Sequence, residues 1–181
     1  MAQILFVSPA DVIKRTGISG NVDRDQMIQF IKIAQDIHIQ GILGTKLFNK
    51  IANDINGDSL SGDYLSLFTN YIQDMVIHYA AIEILPYIHF KVANGGIYTK
   101  GSENGTNVTK EDLDYLVQKE RDIAEHYARR FVDHMAFYNS RYPEYNTSSN
   151  DDMYPSKNQN FNGWVLSVSY THLTLPTKRI V

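Results

Sequence analysis

Apolar residues recur at spacings of three and four along most of this chain, the pattern that lines side chains up on one face of a helix. Ser8, Pro9 and Asp11 have the form of an N-cap, a first-turn proline and a third-position acid. A short helix is therefore predicted to run to about Arg15 and to stop at Thr16-Gly17. From Asp25 onward, Met27, Phe30, Ile31, Ala34, Ile37 and Ile42 make the apolar face of a second helix, with Gln29, Lys32, Gln35 and Asp36 opposite. Gly41 and Gly44 predict a tight corner, after which Thr45 is placed to cap a third helix carrying Leu47, Phe48, Ile51 and Ile55. Beyond the turn cluster NGDSLSGD, a wide stripe from Tyr64 through Tyr71, Met75 and Tyr79 to Leu85 predicts a central helix. It should continue about a turn past Pro86 and be kinked there.

From Ala93 to Val108 the chain is polar and glycine-rich apart from Ile97 and Tyr98, which suits a protruding loop or a small β-hairpin. Thr109 with Asp112 forms a second capping box. The helix it opens carries Leu113, Leu116, Val117, Ile123, Tyr127, Phe131, Met135 and Tyr138 and should end before Pro143. The expected architecture is all-α: a bundle of four to five helices over residues 1–145, with the loop or hairpin inserted at about 93–108. Residues 146–166 are rich in Asn, Ser and Asp, cannot hold a core of their own, and are read as an extended arm.

The last segment, VSYTHLTLPT, alternates like a strand. Back-translated as GTC TCT TAT ACA CAT CTG ACG CTG CCG ACG, it also resembles the transposase end adaptor used to prepare sequencing libraries. On that reading natural sequence ends near Leu166, and Ser167 to Val181 is an assembly artefact that removes His172 from any search for a site.

Composition narrows the function. Lys and Arg number 17 against 20 Asp and Glu, a net charge of -3 with no long run of either sign, so the electrostatic footprint of a nucleic-acid-coating protein is missing. The chain has no cysteine, which excludes disulfides, thiolate nucleophiles and cysteine-ligated zinc. MAQILFVSPAD has neither the basic region nor the apolar length of a signal peptide. Glu83 and Pro86 interrupt the most hydrophobic stretch before it reaches the roughly eighteen residues of a membrane span, so no membrane association is expected.

Candidate chemistry is sparse. His38, His78, His89, His126 and His134 form no H-E-x-x-H and no E-x-x-H pair, and NGGIYTKG lacks the spacing of a phosphate loop. No metal, cofactor or catalytic residue is expected. Asp122 and His126 are four apart and read as an exposed hydrogen bond rather than an ion site; His78 reads as a hydrogen-bonded core or interface residue. Glu83, a carboxylate inside AAIEIL, requires a cation if buried; Arg129 and Arg130 on the last helix are the candidate partners in a structural ion pair.

The order of SPADVIKRTGI, an amphipathic helix, AQDIHIQGILGTKLFNKI, a long apolar helix, a glycine-rich interruption and a final helix ending in YP resembles the head-to-tail connector, or adaptor, proteins of tailed bacteriophages, particularly of crAss-like gut phages. The resemblance covers about Pro9 to Tyr145, with ILGTKLFNKI its most telling piece. It implies a virion structural protein, not an enzyme. Copies would form a dodecameric ring below the portal protein at the head-tail junction, contacting the tail or the next connector, with DNA only as the content of the channel.

A ring subunit needs a rigid body, two different side surfaces and extensions that grasp a neighbour. Ile97, Tyr98 and Lys100 in the insertion, with Tyr142, Pro143, Tyr145, Tyr154 and Trp164 in the arm, are the candidate partner-binding residues, and the arm is expected to order on a partner. Two other classes compete. One is a small helical ligand-binding protein or enzyme with a pocket between the central and last helices, drawing on Glu83, His78, Asp122 and His126. The other is a helix-turn-helix regulator, disfavoured because its second helix is too apolar to read a major groove.

Overall fold

A computed structural model describes residues 4–93, 96–99, 109–147 and 152–156. The predicted all-α class is correct. Six helical rods and one small hairpin make up the described residues, one rod more than expected. Helix α1 (Pro9–Arg15) is opened by the Ser8/Asp11 capping box and ends at Thr16, as the local sequence requires. The second rod is continuous: α2 (Arg24–Ala34) passes through a π-helical turn (Gln35–Ile39) into α3 (Gln40–Leu43). Helix α4 (Thr45–Asn56) follows. The central rod repeats the device, with α5 (Gly62–Leu67), a π turn (Phe68–Ile72) and α6 (Gln73–His89), which carries Pro86 inside it.

The π turns account for a correction to the helical pattern. Buried apolar positions on the second rod run Met27, Phe30, Ile31, Ala34 and then Ile39, Ile42, Leu43. The step of five at Ala34–Ile39 is the π spacing, and it rotates the buried face by one residue. Ile37, assigned to that face by α-helical spacing, is consequently turned out and is 62% exposed. The same step of five separates buried Leu67 from buried Ile72 in the central rod. Gln35, at the start of the first π turn, is fully buried; its Oε1 accepts from the Phe6 amide at 2.8 Å and its Nε2 donates to the Ile4 carbonyl. It ties the N-terminal segment to the rod, and Phe6 also stacks on Phe48 of the third rod. Replacing Gln35 with alanine strands a buried amide and should cost about 1–3 kcal/mol in urea unfolding.

The corner lies at Gly44 alone. Gly41 stays inside helix α3, whereas Gly44 has φ 76 and ψ 151. Thr45 is therefore the first residue of α4 and not its cap. The missing cap is supplied from far along the chain: the Thr45 amide donates to the Met153 carbonyl at 3.0 Å, and the Thr45 hydroxyl accepts from the Met153 amide. Segment 152–156 thus lies across the corner as a strap. Ser156 donates to the Gly41 carbonyl, and the Asp152 carboxylate accepts from Gln40.

The small sheet pairs β1 (Phe90–Ala93) with β2 (Gly96–Thr99), with Ala93 opposite Gly96. It starts three residues before the predicted insertion; 100–108 lie outside the described residues. Helix α7 (Lys110–Tyr138) opens on the Thr109/Asp112 capping box. A 3-10 turn (Asn139–Arg141) follows, and Pro143 then starts the short helix α8 (Pro143–Asn146), the rod not foreseen.

Helix α6 is the axis of the body. His38 and Phe30 of the second rod meet Tyr79 and Tyr87, while Tyr127 and His134 of α7 meet His78 and Tyr71. Tyr79, Glu83 and Tyr87 share one stripe and Tyr71 and His78 another, so the two neighbours occupy different faces of the central rod, each antiparallel to it. On α7 the buried residues are Leu113, Ala124, Ala128, Phe131 and Met135. The predicted face members Leu116 and Tyr138 are exposed. Ala124 and Ala128 are fully buried and take their share of that face.

Candidate functional site

Of the polar residues singled out in the sequence, Glu83 and His78 pair between helices. Glu83 Oε1 accepts from His38 Nε2 at 2.9 Å, and His38 lies flat on Tyr79 with ring centres 4.4 Å apart. The expected partners Arg129 and Arg130 are elsewhere. Glu83 faces the second rod, not α7; the Arg130 guanidinium lies over the rings of Tyr71 and Tyr127, and Arg129 Nε donates to the Glu125 carbonyl. His78 bonds Glu120 at 2.8 Å and stacks on Tyr127. Asp122 accepts from Gln118. Tyr64 donates to the Glu144 carboxylate at 2.6 Å, and burial followed by that bond raises the phenol above its ordinary value. Each histidine-tyrosine stack joins α6 or its preceding turn to a neighbouring rod.

His134 completes the series and differs from the others. It stacks on Tyr71 at 4.3 Å and also approaches Tyr138 and Tyr142, and its buried Nε2 has no hydrogen-bond partner among the described residues. Burial, assisted by the nearby Arg141 charge, holds its pKa below the ordinary 6.5. The folded protein therefore keeps His134 neutral while the unfolded chain takes up a proton below that value. Stability should be fully present above pH 6.5 and fall as pH drops below it. In His134→Phe, urea midpoints above and below that pH should lie closer together than in the parent.

The partner-binding candidates divide three ways. Tyr142 and Tyr145 are each only 2% exposed; Tyr142 packs edge-on against Tyr64, and Tyr145 against Phe131. They are core residues, because the chain doubles back at Pro143 and brings Tyr142 onto Tyr64 of α5 and Tyr145 onto Phe131 of α7, contacts no local pattern reveals. Pro143 and Tyr154 remain at the surface, and Ile97 and Tyr98 lie in β2. Lys100 and Trp164 lie outside the described residues. The described part of the arm, 152–156, packs on this subunit's own corner at Gly41–Thr45.

The surface carries apolar residues the sequence reading placed elsewhere or passed over. Ile33 and Ile37 are exposed four apart on the second rod; Tyr115 and Leu116 near one end of α7, and Phe137 and Tyr138 at the other, are exposed also. Phe137 is 82% exposed. A groove of about 360 Å³ lies between the start of α2 and the end of α6, floored by Met27, Phe30, Ile84 and Ile88, with Tyr87 at its side and Asn21, Asp23 and Gln26 along its lip. This groove is on the α2 side of the central helix, a different place from the one between the central and last helices that the ligand-binding alternative draws on. Among the described residues there is no group of three or more His, Asp or Glu that could hold a metal ion, and no helix long and apolar enough to cross a membrane.

This is a helical body whose candidate polar residues largely bind its rods together and whose exposed features are apolar faces. The chain belongs to a family of unknown function, DUF6712, whose model matches residues 39–153, from the first π turn to the strap. No curated protein and no solved structure matches it.

Proposed function

We propose that the chain is a structural subunit of a tailed-phage virion, a head-tail connector that assembles as a ring below the portal and links capsid to tail around the DNA channel. The observation that carries the reading is the placing of large exposed apolar side chains on two separate flanks of one rigid body. Ile33 and Ile37 lie on the rod packed against one face of α6; Tyr115 and Phe137 lie on the helix packed against another. Exposed apolar surface of this kind is expected of an association surface. Two different flanks suit head-to-tail contact between identical copies, which closes into a ring when the rotation permits. The sequence resemblance supplies the biological setting.

Charge is compatible with that setting. A passage for packaged duplex must let it slide, and dense phosphate binding would hold it back, so a net charge of -3 raises no objection. The competing reading, a ligand-binding protein or enzyme, would use the groove beside Met27 and Phe30. The test is the set of neighbouring genes followed by co-expression. Portal and major capsid genes alongside, and a stable complex between this chain and that portal protein on co-purification, are expected. A metabolic operon and no binding to portal would refute the connector role.

A further inference from the structure

Phe137 and the groove stand at opposite ends of the body. His134, one turn before Phe137, is level with Tyr71, whereas the groove is level with Tyr87. The sixteen-residue separation along the central rod corresponds to about 24 Å at about 1.5 Å per residue. A subunit cannot bring its own Phe137 to its own groove without unfolding α7, so any such contact is made with a second copy. It joins unlike surfaces, so it can propagate head to tail around a ring or be made reciprocally across a two-fold axis, and the copy number separates the two.

The two surfaces match in shape and charge. Phe137 is the most exposed large apolar side chain among the described residues, a single aromatic knob at the end of a rigid helix. The groove is concave and of a size to take an aromatic side chain, and one wall is the tilted ring pair of Phe30 and Tyr87, with centres 4.6 Å apart. A third ring added there gains the edge and offset contacts that aromatic clusters favour. Tyr87, 51% exposed, gains cover from the same contact. Arg141, one turn beyond Phe137, is exposed, and its contact with Asp63 is a loose 3.9 Å. Asp23 at the groove's lip caps α2 through the Asp25 amide with one carboxylate oxygen and brings a negative charge to the place where that guanidinium would arrive.

We propose that Phe137 of one copy seats in the Met27, Phe30, Ile84 and Tyr87 groove of the next, with Arg141 facing Asp23 across the lip. The proposal rests on the self-association inferred above and names the two faces that meet.

The absence of cysteine makes the test direct, because introduced thiols are the only ones present. Ser140→Cys places a thiol beside Phe137 while keeping the ring, and Gln26→Cys places one on the lip. With a short bismaleimide, a mixture of the two single variants of the full chain should give a covalent dimer that neither gives alone. Phe137→Asp should abolish self-association in sedimentation while leaving the thermal transition in place, since the side chain it replaces is exposed. Gln26→Arg should weaken association on the groove side. If copies associate but the mixture does not cross-link, or Phe137→Asp associates as before, the assignment of faces is wrong and self-association uses others. If the chain stays monomeric at every concentration, the assignment and the reading beneath it fall together.

Discussion

Phe131→Ala is expected to cost about 3–5 kcal/mol of stability, the range for removing a fully buried aromatic side chain when the surroundings relax only in part. Phe131 is fully buried on the inner face of α7, where Tyr145 meets it edge-on across 5.9 Å. The loss should therefore spread beyond the bundle. With Phe131 gone, α8 loses the ring that receives Tyr145, and amide exchange at Tyr145 and Thr147 should speed up more than exchange in α1. Equal acceleration in both segments would mean that Tyr145 is held by something other than this contact. Chemical denaturation of the variant beside the parent gives the energy, and hydrogen exchange gives its distribution.

Gly44→Ala should follow closely. The conformation at φ 76, ψ 151 belongs to a region essentially reserved for glycine, and occupying it with a side chain costs about 1–3 kcal/mol. A Cβ there would also stand 2.6 Å from the Cγ and Cδ of Pro155. The clash with Pro155 is relieved by moving the strap, which breaks the Met153 to Thr45 and Ser156 to Gly41 bonds and uncaps α4. Protease cleavage near 152–156 should accelerate sharply in this variant. Gly41→Ala is the control: no atom outside its own helix lies near its missing Cβ, and alanine is the better helix former by about 1 kcal/mol, so it should be neutral or stabilising. Equal effects at the two glycines would contradict the placing of the corner at Gly44.

That pair of glycines marks the limit of what sequence pattern reveals. Ser8 with Asp11 and Thr109 with Asp112 specify their helix starts within four residues, and both capping boxes are present as read. The length of the central helix past Pro86 was equally legible, because one face carried apolar residues without a break. Gly41 and Gly44 look alike in sequence; a strap more than a hundred residues away decides which one bends the chain. The π turns hide for a related reason. A stripe spaced at three and four also tolerates one step of five, so Ile37 fitted the apolar face on paper although tertiary packing turned it out.

The candidate site was legible in type but not in pairing. A histidine on an apolar helix and a carboxylate inside AAIEIL both called for polar partners, and both have them. Charge alone points Glu83 to the arginines of α7; the partner, His38, is 45 residues upstream and comes into range only through antiparallel packing of the second rod on α6. Tyr142 and Tyr145 read as arm residues since nothing near them in sequence is aliphatic. The doubling back through Pro143 places them on Phe131 and Tyr64. What the pattern could not foresee, Phe137 at the surface, follows from the same cause: at the end of α7 the inner face is taken by Met135 and His134, leaving Phe137 to point away.

Everything proposed about function depends on identical copies joining through unlike flanks. Native mass spectrometry of the purified full chain over a wide concentration range measures this most directly. The account predicts that monomer gives way to one closed species of fixed copy number, with open intermediates scarce. A chain that remains monomeric at the highest concentration reached, or that stops at a two-fold dimer, would contradict it.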